Sequence, residues 1–303
     1  MVQDLGRWGL QAIGVPVAGP MDPFSHRLAN ALVGNDPNAA TLEITLTGPE
    51  VAFEDERPVA VAGAVFDLSL EGQPAPRSPA FVARAGARLT FGRRLHGSRA
   101  YLAVAGGLAV PLALGSRATH VLSGMGGFRG RALMSGDRVP LGEILAGSRR
   151  KTDLAPASAR PIPDGHARVR VLPGPHHDRF DTKAFEQLQS APYTISNDSD
   201  RMGFRLRGPA LGSARDANLI SDATPLGVLQ VPPSGQPVLL MADRQTTGGY
   251  PAIATVVAAD IGLAGQLAPG DTISFAVCSR REALAALIAQ ERALMAVEGA
   301  GRL

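Results

Sequence analysis

The sequence predicts a mainly β fold in two lobes, with a few short helices and a C-terminal helix. Three observations lead there. Short apolar runs bounded by Gly and Pro dominate the chain, while long helical periodicity is rare. At 303 residues the chain can form two domains of roughly 150 residues, each burying its own core. A weak internal echo also runs through it. Gly86-Ala87, Gly136-Asp137 and Gly270-Asp271 each lead into a strand-like run, as two related lobes would have, although Gly-Asp turns also recur without any repeat.

Taken in order, strands are expected over residues 40–46, 58–65, 88–91, 99–104, 169–172, 204–206, 228–231, 238–241, 252–257 and 272–277. Each is an apolar or alternating run ended by turn residues. A helix over 23–33 follows from Asp22 as N-cap and from Pro23, whose missing N–H is tolerated in the first turn. A second helix is expected over 181–189. The last, over 281–297, is rich in Ala, Leu and Glu with apolar residues three and four apart, which suits packing or binding a partner. The polar, Pro-containing stretch 148–164 is the natural linker. The expected organisation is an N-terminal β lobe over 1–150, a linker over 151–164, a second β lobe over 165–280 and a terminal helix over 281–303.

Composition narrows the function. Hydrophobic residues at 45% and charged residues at 19% describe an ordinary soluble globular protein, and no segment reaches the ~20 apolar residues of a membrane span. The net charge of +3 is small and the basic residues are scattered, which argues against nucleic acid; aromatics at 5% leave few stacking platforms. Cys278 is the single cysteine, so neither a disulfide nor a thiolate metal site forms within one chain, as fits a reduced, cytoplasmic setting. No signal peptide opens the sequence. The motifs GxxxxGK[ST], HExxH and GxSxG are absent, and lysine occurs only at Lys151 and Lys183. Phosphate-loop, zincin and α/β-hydrolase chemistry are therefore not expected, and Schiff-base candidates are few.

Chemistry is expected at Asp243-Arg244-Gln245-Thr246-Thr247-Gly248-Gly249-Tyr250-Pro251. Five polar side chains follow the apolar run 237–242, more than a turn needs. Asp and Arg suit an ionic ligand, Gln and Thr supply neutral donors and acceptors, and the glycines permit close approach. The competing reading is a long hairpin loop closed by its own Thr and Asp hydrogen bonds. Asp22 also has two readings, as a helix cap or as part of an anion site at the helix N-terminus. Arg99 shares a strand face with Tyr101, where it can clamp a carboxylate or pair with a nearby acid. The glycine-rich stretch 124–131 does not match GxGxxG and reads as a loop. His176 and His177 precede Asp178, but neighbours on a strand point to opposite faces; one imidazole as a base or substrate contact is favoured over a metal site.

Taken together, Gln3-Asp4-Leu5-Gly6-Arg7, Gly19-Pro20-Met21-Asp22, Ala29-Asn30, Leu42-Glu43 with Thr45, Arg99-Ala100-Tyr101-Leu102-Ala103, Ser199-Asp200-Arg201-Met202-Gly203 and residues 243–251 resemble the biotin-dependent carboxyltransferase-like family. Its members include the C-type subunits of 5-oxoprolinase, formerly called allophanate hydrolase subunit 2, and the carboxyltransferase domain of urea amidolyase. The resemblance implies two cyclophilin-like β-barrel lobes with a site in a cleft between them. It also implies an ATP-dependent complex in which A-like and B-like 5-oxoprolinase subunits join this chain to open 5-oxoproline (pyroglutamate) to glutamate, with ATP bound by the partners. The alternatives are a non-catalytic protein binding a kinase inhibitor that resembles the B-type 5-oxoprolinase component, or a carboxyltransferase moving carboxyl from carboxybiotin to a urea-like amide. Biotin enters only in the last case. The sequence shows neither a biotinyl nor a biotin-carboxylase domain, which favours the first reading.

Carried over position by position, the resemblance implies catalytic roles for Arg201, Asp243, Thr246 and Thr247, and substrate contacts from Asp22, Asn30, Arg99, Gln230, Gln245 and Tyr250. Arg99 or Arg201 would hold a carboxylate, Thr246, Thr247 and nearby amides would stabilise an oxyanion, and Asp243 would orient an arginine or accept a proton. Arg201→Ala and Asp243→Ala are then expected to leave folding intact and abolish activity of the complex. Two positions depart from the family pattern. That pattern begins with a strand before Gln3, whereas this sequence starts close to it, as a truncated start would. Ala252 stands where Lys usually follows Gly-Gly-Tyr-Pro, which would weaken the hold on an anion.

Overall fold

The computed structural model describes residues 1–76, 78, 80–144, 160–212 and 220–299. They fall into two compact units, one of Met1–Arg7, Ala18–Ile162 and Gln290–Leu303, the other of Trp8–Val17 and Pro163–Ala289. Most of the expected linker, residues 151–159, lies outside the described residues. Trp8–Val17 groups with the second unit, although it was expected in the N-terminal lobe.

The first unit contains β1 (Val2–Gln3), α1 (Pro23–Leu32), β2 (Thr41–Thr45), β3 (Glu50–Ala52), β4 (Arg57–Leu70), β5 (Gln73–Pro74), β6 (Ala80–Ala83) and β7 (Arg88–Val104). The sheet runs β1-β2-β7-β4-β5, with β3 added to β7 and β6 to β4. Runs 88–91 and 99–104, expected as separate strands, are the two ends of β7. The strand continues through its exposed polar middle because β4 pairs with it from Val59↔Val104 to Leu70↔Leu89, with register shifts between Gly63 and Leu68. Such irregularities bend a long strand pair without ending it. One face buries Leu42, Ile44, Val59, Phe66, Phe81, Phe91 and Leu102. Against the other, α1 places Phe24, Leu28 and Leu32 beside Ala60, Tyr101 and Ala103, together with Leu294 and Val297.

The second unit contains β8 (His166–Pro173), α2 (Thr182–Ser190), β9 (Tyr193–Ile195), β10 (Gly203–Arg207), β11 (Asp222–Ala223), β12 (Val228–Gln230), β13 (Val238–Leu240), β14 (Thr247–Gly248), β15 (Ala252–Val256), α3 (Ala258–Gly265) and β16 (Thr272–Val277). A closed barrel forms in the order β10-β13-β12-β15-β8-β16-β9, with β9 returning to β10. Alternation assigns the faces: Ala167, Val169 and Val171 are buried in β8, with Arg168 and Arg170 between them. Closure leaves no open edge within this ring. β11 and β14 form a separate two-stranded ribbon.

Helix starts follow local chemistry. Asp22 accepts from the Ser25 backbone N–H at 3.2 Å with Pro23 next in line, and Asp181 accepts from Ala184 N–H at 2.8 Å. The final helix, α4 (Arg280–Gly299), opens with a capping box. Glu282 takes the Ser279 N–H at 2.7 Å, and Ser279 Oγ takes the Glu282 N–H at 3.2 Å. α3 was not expected. It has no side-chain cap and no polar face, and its one acid, Asp260, is buried against Arg170.

Candidate functional site

In the second unit the chain leaves β13 at Leu240 and turns sharply through residues 241–244. Arg201 meets Asp243 there with both arms of its fork, Nε to Oδ2 at 2.8 Å and Nη2 to Oδ1 at 3.0 Å. The backbones bond as well: Asp243 N–H donates to Arg201 O at 2.8 Å, and Met241 N–H to Met202 O at 2.9 Å. Side-chain exposures of 13% and 8% make this a largely buried, bidentate pair. Arg201 thus engages both carboxylate oxygens of Asp243, and removing Arg201 takes from the buried carboxylate its bidentate partner. Arg201→Ala and Asp243→Ala are therefore expected to cost stability beside any loss of activity.

Thr224 organises the next residues. Its N–H donates to Thr246 O at 3.1 Å, its hydroxyl to Gln245 O, and its carbonyl accepts from Arg244 Nε at 2.8 Å. The ribbon pairs Asp222 with Gly248 and Ala223 with Thr247. Gln230 ends β12 in a buried position, with Gln245 Nε2 lying 3.5 Å from its Oε1. A Cβ on Gly248 would lie 2.7 Å from Gln230 Nε2 and 3.2 Å from Gln245 Nε2. Glycine is therefore needed for the two amides to converge at this point. Of the expected residues, the structure brings together Arg201 with Asp243, and Gln230 with Gln245 beside Thr246 and Gly248. Thr247 and Tyr250 are exposed at the loop's outer side.

The turn at residues 174–177 lies against the start of β15. A Cβ on Gly174 would sit 2.5 Å from Ala252 O, so only glycine allows this approach. His176 Nδ1 accepts from Ala252 N–H at 3.2 Å, and the His176 backbone N–H donates to Ala252 O at 3.2 Å. An accepting Nδ1 places the ring proton on Nε2. His177 Nδ1 faces Gly174 O at 2.8 Å and so carries its proton on that nitrogen. Ala252 is buried in an apolar cluster with Val228 and Leu240. Among the described residues no three His, Cys, Asp or Glu side chains gather as metal ligands.

In the first unit Asp22, His26 and Asn30 lie on successive turns of α1 and meet the polar face of β2 and β7. His26 Nδ1 is 2.9 Å from Thr41 Oγ1, and Nε2 is 3.4 Å from Asn30 Nδ2. Asn30 Nδ2 also donates to Ala39 O at 2.8 Å, so His26 is neutral with its proton on Nδ1. Burial pushes its pKa down to about 4. Tyr101 donates to Glu43 Oε2 at 2.7 Å and accepts the Asp22 N–H at 2.8 Å. Its hydroxyl is held well above the usual phenol range, chiefly by burial and then by Glu43.

Asp22, fully buried, also accepts from Ser25 Oγ at 2.6 Å and from Arg160 at 2.9 Å. Of its two readings the structure realises the cap, and Asn30 is spent on the same internal network. Arg99 is buried in β7 opposite Thr45. Sequence reasoning passed over His26, Thr41, Arg160 and Thr224, and it marked Arg244 only as part of the polar run 243–251. The spacing of Asp22, His26 and Asn30 and the alternation of Thr41 with Glu43 were the signals for the network. A cavity of about 1020 Å³ lies elsewhere in the first unit, walled by Leu42, Leu102 and Val104, and contains none of the expected site residues. Its rim charges pair among themselves, as Arg57–Asp55 and Arg88–Glu50.

Residues 13–277 match the family described as carboxyltransferase domain, subdomain A and B. The Escherichia coli (strain K12) protein named as the C subunit of 5-oxoprolinase is 41% identical over 291 residues, covering 96% of this chain and 92% of that protein. The Haemophilus influenzae protein of the same name is 37% identical, covering 93% and 89%. Urea amidolyase of Saccharomyces cerevisiae is 33% identical, covering 98% of this chain but 17% of its own length. The crystal structure of K. lactis urea amidolyase superposes with a TM-score of 0.92 and 32% identity, over 98% of this chain and 19% of that one. That of TTHA0988 gives 0.80 and 39%, over 91% and 52%. The chain thus spans about a fifth of the K. lactis urea amidolyase chain and about half of the TTHA0988 chain.

Proposed function

The chain belongs to the carboxyltransferase-domain family, subdomains A and B, and on that premise we propose that it is the C subunit of an ATP-dependent 5-oxoprolinase. In that role it acts with A-like and B-like 5-oxoprolinase subunits in the cytoplasm to open 5-oxoproline to glutamate. The supporting observation is the match over about nine-tenths of the length of two proteins named as the C subunit of 5-oxoprolinase, whereas each urea amidolyase is matched over a minor part of its length. No helix among the described residues is long and apolar enough to cross a membrane.

The second-unit loop is the proposed substrate site. Asp243, oriented by Arg201, accepts a proton during ring opening, while Thr246, Thr247 and adjacent amides stabilise charge on the lactam oxygen. Gln230, Gln245 and Tyr250 contact the substrate. ATP is a co-substrate assigned to the partners. In the glycine-rich stretch, Gly124, Gly127 and Gly130 spend their N–H groups on the carbonyls of Val121, Arg117 and Gly126 at 2.9–3.1 Å, so these three amides are not open to a phosphate.

A second reading, carboxyl transfer from carboxybiotin to a urea-like amide, is favoured by the close superposition on K. lactis urea amidolyase. Purified chain is combined with the A-like and B-like proteins, ATP and 5-oxoproline, and glutamate is measured. Release only from the full mixture supports the first reading. No glutamate, with carboxybiotin-dependent carboxylation of urea instead, overturns it in favour of the second.

A further inference from the structure

Arg244 is only 7% exposed, and among the described residues its one side-chain hydrogen bond runs from Nε to Thr224 O at 2.8 Å. Other arginines of this protein are treated differently. Arg131, Arg170 and Arg201 each place two guanidinium nitrogens on one aspartate. Burial alone pushes the Arg244 pKa down, with no acid among the described residues to offset it. A buried guanidinium without a counter-charge is costly, because desolvation is not returned by an ion pair. Its terminal nitrogens have no protein acceptor among the described residues, yet they are not among the polar atoms sealed from solvent. Nearby, Gln230 is 3% exposed and its Nε2 lacks an acceptor among the described residues. Gly248 leaves open the space on which that Nε2 and Gln245 Nε2 converge. Thr224 ties the two features together, holding Arg244 by its carbonyl and Gln245 by its hydroxyl.

We propose that Arg244 is the anion-binding residue of this loop and takes a planar oxyanion, a carboxylate or bicarbonate. The bond to Thr224 holds Nε and presents the terminal fork, whose planar geometry matches such an anion with two parallel hydrogen bonds. Gln230 and Gln245 add neutral donors. In this arrangement the missing counter-charge is the ligand's own, which divides the labour of the loop: Arg201 positions Asp243, and Arg244 holds the substrate. The assignment rests on the proposed placing of the substrate at this loop.

Binding to the full chain is measured by calorimetry with three probes: 5-oxoproline, its uncharged counterpart 2-pyrrolidinone, and bicarbonate. At least one anion binds and 2-pyrrolidinone does not. Arg244→Gln weakens anion binding at least about 30-fold. Arg244→Lys keeps the charge without the fork and weakens it less, and Arg207→Gln, at a pair 72% and 68% exposed, leaves it unchanged. Binding of 5-oxoproline identifies the anion as the substrate's carboxylate; binding of bicarbonate alone identifies it as a carboxyl donor. If Arg244→Gln does not fold, Arg244→Lys carries the comparison. In addition, Arg244→Met raises the thermal midpoint of the ligand-free chain, since it removes an uncompensated buried charge. Equal anion affinity in wild type and the Arg244 variants, or no binding of either anion, overturns the assignment. Anion binding that depends on Arg244, in a preparation whose full mixture releases no glutamate, keeps this site and removes the 5-oxoprolinase reading.

Discussion

Replacing Arg201 and Asp243 singly and together separates what this pair does for the fold from what it does for chemistry. The two side chains are 13% and 8% exposed and joined by bonds of 2.8 and 3.0 Å. Arg201→Met leaves the carboxylate buried without this arginine, and Asp243→Leu takes from the largely buried guanidinium its bidentate acid. Each change is expected to cost about 3–5 kcal/mol. The double variant removes both charges, and the backbone bond from Asp243 N–H to Arg201 O at 2.8 Å does not depend on either side chain. Its stability is therefore expected within about 1 kcal/mol of wild type, which gives a coupling of about 5 kcal/mol or more. Urea unfolding of the four proteins, with hydrogen exchange of residues 199–203 and 241–245, measures it. Activity of the reconstituted complex should follow a different pattern: the double variant regains stability and stays inactive, because the carboxylate is gone. Single variants as stable as wild type would refute the buried-pair account, and an active double variant would remove Asp243 from the chemistry.

Three further expectations follow from the geometry. His26 has a pKa of about 4 when folded against 6.5 when unfolded. Its contribution is fully present above pH 6.5; as the pH falls, only the unfolded chain takes up the proton, costing about 2 kcal/mol by pH 5 and about 3 kcal/mol below pH 4. His26→Gln should flatten that part of the stability curve, and wild-type and variant curves running parallel from pH 7 to 4 would contradict it. Gly248→Ala puts a methyl 2.7 Å from Gln230 Nε2 and is expected to weaken anion binding and cost about 1–3 kcal/mol; unchanged binding and thermal midpoint would count against the converging amides. Ser279→Ala removes the capping box of α4 and should lower local stability by about 1 kcal/mol, read as faster hydrogen exchange over residues 280–284, and unchanged rates would exclude the box.

The parts of the fold visible in the sequence are those governed by local chemistry. Asp22-Pro23 and Asp181 announce their helices, and alternation in β8 and β10 assigns their buried faces before any contact is known. α3 was hidden because Ala258–Gly265 has two glycines, no capping side chain and no polar face, so packing rather than propensity makes it helical. The middle of β7 looked like a loop because residues 92–96 face solvent, and only pairing with β4 keeps it extended. At the site, the polar run marked where chemistry belongs. It did not tell which charges cancel. Arg201 and Asp243 are separated by 42 residues, so their pairing is a tertiary fact. Arg244, adjacent in sequence to Asp243, meets no acid among the described residues, and no pattern of residue types reveals that.

Glutamate formation from 5-oxoproline and ATP, assayed with this chain and the A-like and B-like 5-oxoprolinase proteins in all combinations, tests the central claim most directly. The complete mixture should form glutamate, and omission of this chain should abolish it. Undiminished glutamate formation without this chain, or none from the complete mixture, would contradict the assignment.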